Sequence, residues 1–218
     1  MELIAEGALE ASSVVANRVM NRERRLTGRD GYSRVLGFDI VEFLAGRGPA
    51  RWLDLCCGSG RALLDAAEIL PDVEITGVDL VGYFAATSQP RVSFETASIG
   101  TWQPDGAFDL ITCVHGLHYV GDKLGALTRA ASWLAPGGVF VASFDAAGVR
   151  MSDGAPTARR LTSALKAAGF EHDGRARRIR RTGHLATTLP FRYLGADDRA
   201  GPNYTGQPAV HSYYDPKP

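Results

Sequence analysis

Arg51-Trp-Leu-Asp-Leu-Cys-Cys-Gly-Ser-Gly60 is an apolar run that breaks into glycines, and a helical pattern over residues 62–70 follows it directly. A buried strand entering a turn that tolerates left-handed backbone angles, and leaving it as a helix, is the first unit of a ligand-binding α/β sheet. The glycines let the backbone approach that ligand closely. Two details bear on which ligand. The third glycine of a dinucleotide fingerprint falls at Leu63, and Asp54 at the strand end would repel a pyrophosphate. A ligand carrying positive charge tolerates that carboxylate. Nineteen residues after Gly60, at the end of Ile75-Thr-Gly-Val-Asp79, a second carboxylate is placed to accept both hydroxyl hydrogens of a ribose.

Outward from this unit the strand-and-helix alternation continues. Short apolar runs at 51–55, 73–78, 92–94, 110–114 and 139–144 read as buried parallel strands, and 62–70, 123–134 and 157–168 as helices. Residues 175–182 and 187–194 are expected to pair as a final antiparallel ribbon. The link between Asp79 and Arg91 leaves room for about two helical turns at most. Ahead of the core, residues 2–26 carry apolar positions at Leu3, Ile4, Val14, Val15, Val19 and Met20 among charges, which predicts an amphipathic helical segment, and 38–44 predicts a short helix. The end, rich in Pro, Gly and Tyr from Gly201 onward, reads as irregular but too aromatic for a free terminus; it is expected to dock, as a pocket wall, a homodimer contact or a packing strip. The expected organisation is a helical lid over 1–46, a core over 47–200 and an aromatic tail over 201–218.

Composition limits the partners. The 218 residues suit one α/β domain, and a 45% apolar content is ample for one core. Lysine plus arginine and aspartate plus glutamate are 24 each, so no global field draws nucleic acid or an anionic membrane. No stretch reaches the roughly 18 apolar residues of a membrane span, and no signal peptide is evident, so the expectation is a cytoplasmic protein. Cys56, Cys57 and Cys113 make no disulfide framework and no metal-ligand spacing. The run Arg175, Arg177, Arg178, Arg180 and Arg181 fits an exposed alternating strand better than an RNA-binding stripe.

Four motifs stand in one order: Leu-Asp-Leu-Cys-Cys-Gly-Ser-Gly at 53–60, Gly-Val-Asp-Leu at 77–80, Phe-Asp-Leu-Ile at 108–111 and Leu-Ala-Pro-Gly-Gly at 134–138. The set, spanning residues 50–145, resembles the class I S-adenosylmethionine-dependent methyltransferase family. The resemblance implies a Rossmann-like α/β fold: a mostly parallel seven-stranded sheet with helices on both faces and an antiparallel last strand. It also implies S-adenosylmethionine as cofactor, with S-adenosylhomocysteine as product, lying across the carboxyl edge of the sheet. Residue by residue, Asp79 would take the ribose, Leu80 would pack on the adenine, and Cys56, Gly58 and Gly60 would underlie the methionine part, with Asp54 holding its ammonium. The family's usual acidic residue after the third strand falls at Ala97, so Ser98 and Ile99 would serve the adenine instead, and Cys56 stands where glycine is usual. In Gly31-Tyr-Ser-Arg34, Tyr32 and Arg34 would meet the cofactor from the lid, Arg34 by pairing its carboxylate.

Methyl transfer is an in-line displacement, so alignment and water exclusion matter most, and a base helps only with protonated acceptors. Val114-His-Gly-Leu-His-Tyr119 leaves the fourth strand at the corresponding place, making His118 the candidate base and His115 a cofactor-wall residue. The activity expected is methylation of an O, N or C atom of a small organic metabolite. A non-catalytic cofactor-binding subunit or regulator, and a peptide or RNA methyltransferase, stay open as alternatives.

Overall fold

The computed structural model describes residues 3–16, 23–153, 157–186, 188–204 and 206–217. A seven-stranded sheet forms its centre. Its strands are β1 (Ala50–Leu55), β2 (Val73–Asp79), β3 (Val92–Thr96), β4 (Phe108–Cys113), β5 (Leu134–Ser143), β7 (Phe170–Asp173) and β8 (Arg178–Thr182), with the short β6 (Val149–Met151) lying outside it. Across the sheet they lie in the order β3-β2-β1-β4-β5-β8-β7. The first five are parallel, with Trp52 beside Ile75 on one side and Leu110 on the other, whereas β8 runs antiparallel to both β5 and β7. The expected Rossmann-like sheet with an antiparallel strand near its end is therefore present.

Alternation along β1 sends successive side chains to opposite faces. Trp52 packs with Ile75, Val139 and Val141 against α2 (Tyr32–Leu36), α3 (Ile40–Ala45) and α4 (Arg61–Ile69), through Leu36, Ile40, Leu44 and Leu63. Leu53 and Leu55 point the other way, toward α5 (Lys123–Ser132) and α6 (Thr157–Ala167), through Leu124, Leu127, Leu161 and Leu165. Burial of both faces explains why apolar residues stand on both sides of β1, at Ala50, Trp52, Leu53 and Leu55. Asp39 and Asp122 cap α3 and α5 by accepting from Glu42 N and Gly125 N, both at 2.9 Å. Gly169, at φ +75°, turns the chain out of α6.

Three expectations are corrected. The antiparallel ribbon is made by β7 and β8, not by 175–182 with 187–194; β9 (Phe191–Asp197) instead belongs to a second, three-stranded sheet. The tail is not irregular throughout: His211–Pro216 forms β10, the central strand of that second sheet, antiparallel to β9 and parallel to β6. Ser212 and Tyr214 face inward and are buried, a period-two pattern that polar side chains conceal from a reading based on hydrophobicity. The leading segment is not one long helix: only α1 (Glu6–Glu10) forms among its described residues, Ile4 bridges Ala196 on β9, and Val14 and Val15 lie in turns, while Val19 and Met20 fall outside the described residues. The link between Asp79 and Arg91, expected to hold about two helical turns at most, forms no helix, and Phe84 within it stacks on Phe94 at 4.8 Å.

Lys123 is fully buried, and its Nζ donates to Val120 O (2.8 Å), Val210 O (2.8 Å) and Ser212 Oγ (3.0 Å), tying β10 to the start of α5. No helix among the described residues is long and apolar enough to cross a membrane.

Candidate functional site

The carboxyl ends of β1, β2, β3 and β4 open into one cleft of about 980 Å³ counting its mouth. Its floor is the glycine turn. After Leu55 the backbone enters the left-handed region at Cys56 (φ +57°), Gly58 (φ +59°) and Gly60 (φ +74°). At Gly60 a β-carbon would lie 2.2 Å from the Phe94 ring, so both conformation and space require glycine there. Cys56 adopts the same region with a side chain, a costly choice for a non-glycine residue. The turn after β4 lies directly against it: a β-carbon at Gly116 would come within 2.2 Å of Cys56 Cβ.

Asp79 stands in the middle of the cleft, 7% exposed, where Oδ2 accepts from Gly58 N and Oδ1 from Val81 N, each at 2.9 Å. Burial raises its pKa, and the two backbone donors oppose that rise. The carboxylate thus locks the turn to the end of β2 while keeping further lone pairs toward the cleft. The neighbouring ends of β2 and β3 bring Leu80, Val81, Ser98 and Ile99 to the cleft lining, and Leu80, Val81 and Ile99 with Val120 give it an apolar slot.

Of the residues expected at the cofactor, Tyr32, Cys56, Gly58, Asp79, Leu80, Ser98, Ile99 and His115 line this one cleft. Arg34, Asp54, Gly60 and His118 do not. Arg34 is exposed and does not line the cleft, and its carbonyl accepts from Arg178 Nη2 at 2.9 Å; the arginine that lines the cleft is Arg24. Asp54 is wholly buried one layer down. Its Oδ2 accepts from Tyr32 Oη at 2.8 Å and its Oδ1 from Thr112 Oγ1, which in turn accepts from Trp52 Nε1 at 2.8 Å. Wholly buried beneath the cleft and absent from its lining, Asp54 orients Tyr32, which does line it; burial pushes the Asp54 carboxyl up to about 7. Gly60 shapes the turn from beneath.

His118 is 4% exposed in the tight turn Gly116–His118, and its Nε2 has no partner among the described residues. Burial, then the nearby Lys123 charge, pushes its pKa down to about 4, so it is neutral and weakly basic at pH 7. Its ring lies 5.8 Å from that of His115, which does face the cleft. His115 takes a left-handed φ of +61°, and its Nδ1 lies 3.4 Å from Tyr204 Oη. The Tyr204 ring sits 4.2 Å from the Arg177 guanidinium, itself paired with Asp145 at 3.6 Å.

Four of the five arginines in the run, all but Arg175, are engaged in tertiary contacts rather than forming a free stripe. Besides Arg177, Arg178 donates to Val35 O and Arg34 O, Arg180 lies over Phe38, and Arg181 donates to Gly183 O and His184 O. The Cys56 and Cys57 thiols are pushed well above their ordinary range, Cys56 by its hydrogen bond to Cys113 and by burial, Cys57 by burial, so neither is an activated nucleophile.

Sequence reasoning missed Glu6, Glu10 and Arg24 from the leading segment, Tyr119 from the turn after β4 and Gln207 from the tail, all of which line the cleft. Tyr119 Oη donates to Gln207 Oε1 at 3.1 Å, joining the tail to the turn after β4. Glu6 and Glu10 carried the one legible signal, since positions four apart share a helix face.

A family model described as a methyltransferase domain matches residues 29–174. The chain is similar to the trans-aconitate 2-methyltransferase of Methylobacterium radiotolerans, 34% identical over 125 residues, covering 56% of this chain and 45% of that protein. It is likewise similar to the enzyme of the same name from Variovorax paradoxus, 33% identical over 138 residues and covering 60% and 51% of the two chains. With the demethylmenaquinone methyltransferase of Deinococcus radiodurans it shares 32% identity over 101 residues, covering 43% and 42%. The matches thus span about half the length of these relatives.

Proposed function

The chain belongs to the class I S-adenosylmethionine-dependent methyltransferase family, and from that membership we propose that it methylates an O, N or C atom of a small organic metabolite by in-line displacement. The observation that carries this reading is the single cleft in which a glycine turn, the Asp79 carboxylate and an apolar slot follow one another along the sheet edge. These residues fit the cofactor. Asp79 has lone pairs for a ribose diol, the slot between Leu80, Val81, Ile99 and Val120 suits a purine, and Tyr32 with the Cys56–Gly58 backbone borders the amino-acid end. Arg24 is the guanidinium available to a carboxylate there. When bound, S-adenosylmethionine supplies a methyl group activated by its sulfonium.

The protein's own contribution is to align the acceptor and keep water out. The leading segment, through Glu6, Glu10 and Val15, and the tail, through Gln207, stand over the cleft as its walls. The proton-accepting role expected of His118 passes in this reading to His115, the imidazole that faces the cleft. The charge of the cleft does not match a tricarboxylate acceptor. Trans-aconitate carries three carboxylates, whereas the charged groups lining this cleft are Glu6, Glu10 and Asp79 against the lone cation Arg24 among the described residues.

The test is to incubate the purified chain with S-adenosylmethionine and a small-molecule extract of its host, and to follow S-adenosylhomocysteine by mass spectrometry. Extract-dependent product, lost on Asp79→Ala, is expected. Tight binding of S-adenosylhomocysteine with no turnover would make the protein a non-catalytic binder, and label entering RNA or protein would refute the small-molecule acceptor.

A further inference from the structure

Resting on the reading of the cleft as an S-adenosylmethionine site, we propose that Glu10 of the N-terminal helix is the residue that recognises the adenine amino group. In doing so it makes the leading segment part of the cofactor site. Three observations converge on it. The first is position: with a ribose held at Asp79, the base extends into the slot walled by Leu80, Val81, Ile99 and Val120, and Ser98 and Glu10 line the cleft with them.

The second is chemistry. The end of β3 brings no carboxylate of its own to this edge, since the chain there reads Thr96-Ala-Ser-Ile99. Ser98 Oγ donates instead to Glu10 Oε1, and the Glu10 carboxylate makes no other hydrogen bond among the described residues. An ionised carboxylate only accepts, so it favours the 6-amino donor of adenine and repels a 6-oxo acceptor.

The third is how the carboxylate is held. Helix α1 is too short to be stable by itself. Leu9 is fully buried against Ala196 and Val210, and Glu6 accepts from Gly121 N (3.3 Å) and Asp122 N (3.1 Å) at the start of α5. Glu6 and Glu10 lie one turn apart on the same face, so Glu6 anchors the helix and Glu10 presents its oxygens to the slot. Base recognition and placement of the leading segment are then one event.

The experiment is calorimetric titration of S-adenosylhomocysteine and its 6-oxo analogue, S-inosylhomocysteine, into the wild-type chain and into Glu10→Gln and Glu6→Gln variants. The wild type should prefer the amino compound by about tenfold or more, the scale of one hydrogen bond to a charged group. Glu10→Gln, whose amide both donates and accepts, should bring the two affinities within about twofold of each other. Glu6→Gln should weaken both ligands alike and keep the preference. A wild type without preference, or a Glu10→Gln variant that retains it, would overturn the proposal. Failure of the wild type to bind either compound would instead refute the cofactor reading on which it rests.

Discussion

Replacing Asp54 with asparagine tests whether this carboxylate is a buried structural acceptor rather than a ligand contact. The side chain is wholly buried, accepts from Tyr32 Oη and Thr112 Oγ1, and has its carboxyl pushed up from 3.8 to about 7 by burial, against the lowering effect of those two hydroxyls. The sign follows from proton linkage. Because the folded-state pKa lies above the unfolded one, the folded protein binds the extra proton between them. The protein is therefore more stable below this window, and stability falls as pH rises from about 4 toward 7. For a single carboxyl with those two values, linkage amounts to about 2–3 kcal/mol lost between pH 5 and pH 8. The asparagine amide cannot ionise, and Tyr32 and Thr112 can turn their hydroxyls to accept from it. Urea denaturation of Asp54→Asn should therefore show a flatter pH profile than wild type, with the variant gaining over wild type at pH 8 relative to pH 5. Parallel profiles, or a variant that loses ground as pH rises, would refute the buried-carboxyl account. The direction is opposite to that of a salt-bridged aspartate, so the sign alone discriminates.

Gly60→Ala should destabilise the fold by about 1–3 kcal/mol, because alanine meets both an unfavourable φ and the Phe94 ring; a denaturation midpoint equal to wild type would count against the turn geometry. Arg24→Ala should weaken S-adenosylhomocysteine binding by about tenfold, the loss of one charged hydrogen-bond partner, while Arg34→Ala leaves it unchanged, and calorimetry giving the reverse order would restore the assignment made from sequence. If His115 is the proton acceptor, His115→Ala should lower kcat by about a hundredfold with little change in cofactor affinity. His118→Ala should act mainly on stability, measured by thermal unfolding, because its ring is buried against its neighbours.

The parts of the fold legible in the sequence were those whose causes are local. An apolar run, a turn needing left-handed φ and the following helix identify themselves within about twenty residues, and the interval to Asp79 placed a carboxylate at the next strand end. Those elements lie where they were expected, and Asp79 faces the cleft. The tail was harder, because β10 buries Ser212 and Tyr214 against β6 and β9 and covers Lys123, and none of these partners is near it in the chain.

Within the site the division is sharper. Which residues stand at the carboxyl edge follows from strand registration, and that pattern is written in the order of motifs. Which polar atoms face the ligand does not, because it depends on what packs behind each side chain. Asp54 is buried beneath the cleft against Tyr32 and Thr112, and His118 is drawn into the interior beside Lys123. Arg24 rather than Arg34 reaches the cleft, and Glu10 meets Ser98 across a separation of 88 positions. The glycine turn and its partner Asp79 were thus determined by sequence, through short-range backbone preference. The charges around them were decided by tertiary structure, because burial and hydrogen-bond saturation are properties of neighbours brought together only by folding.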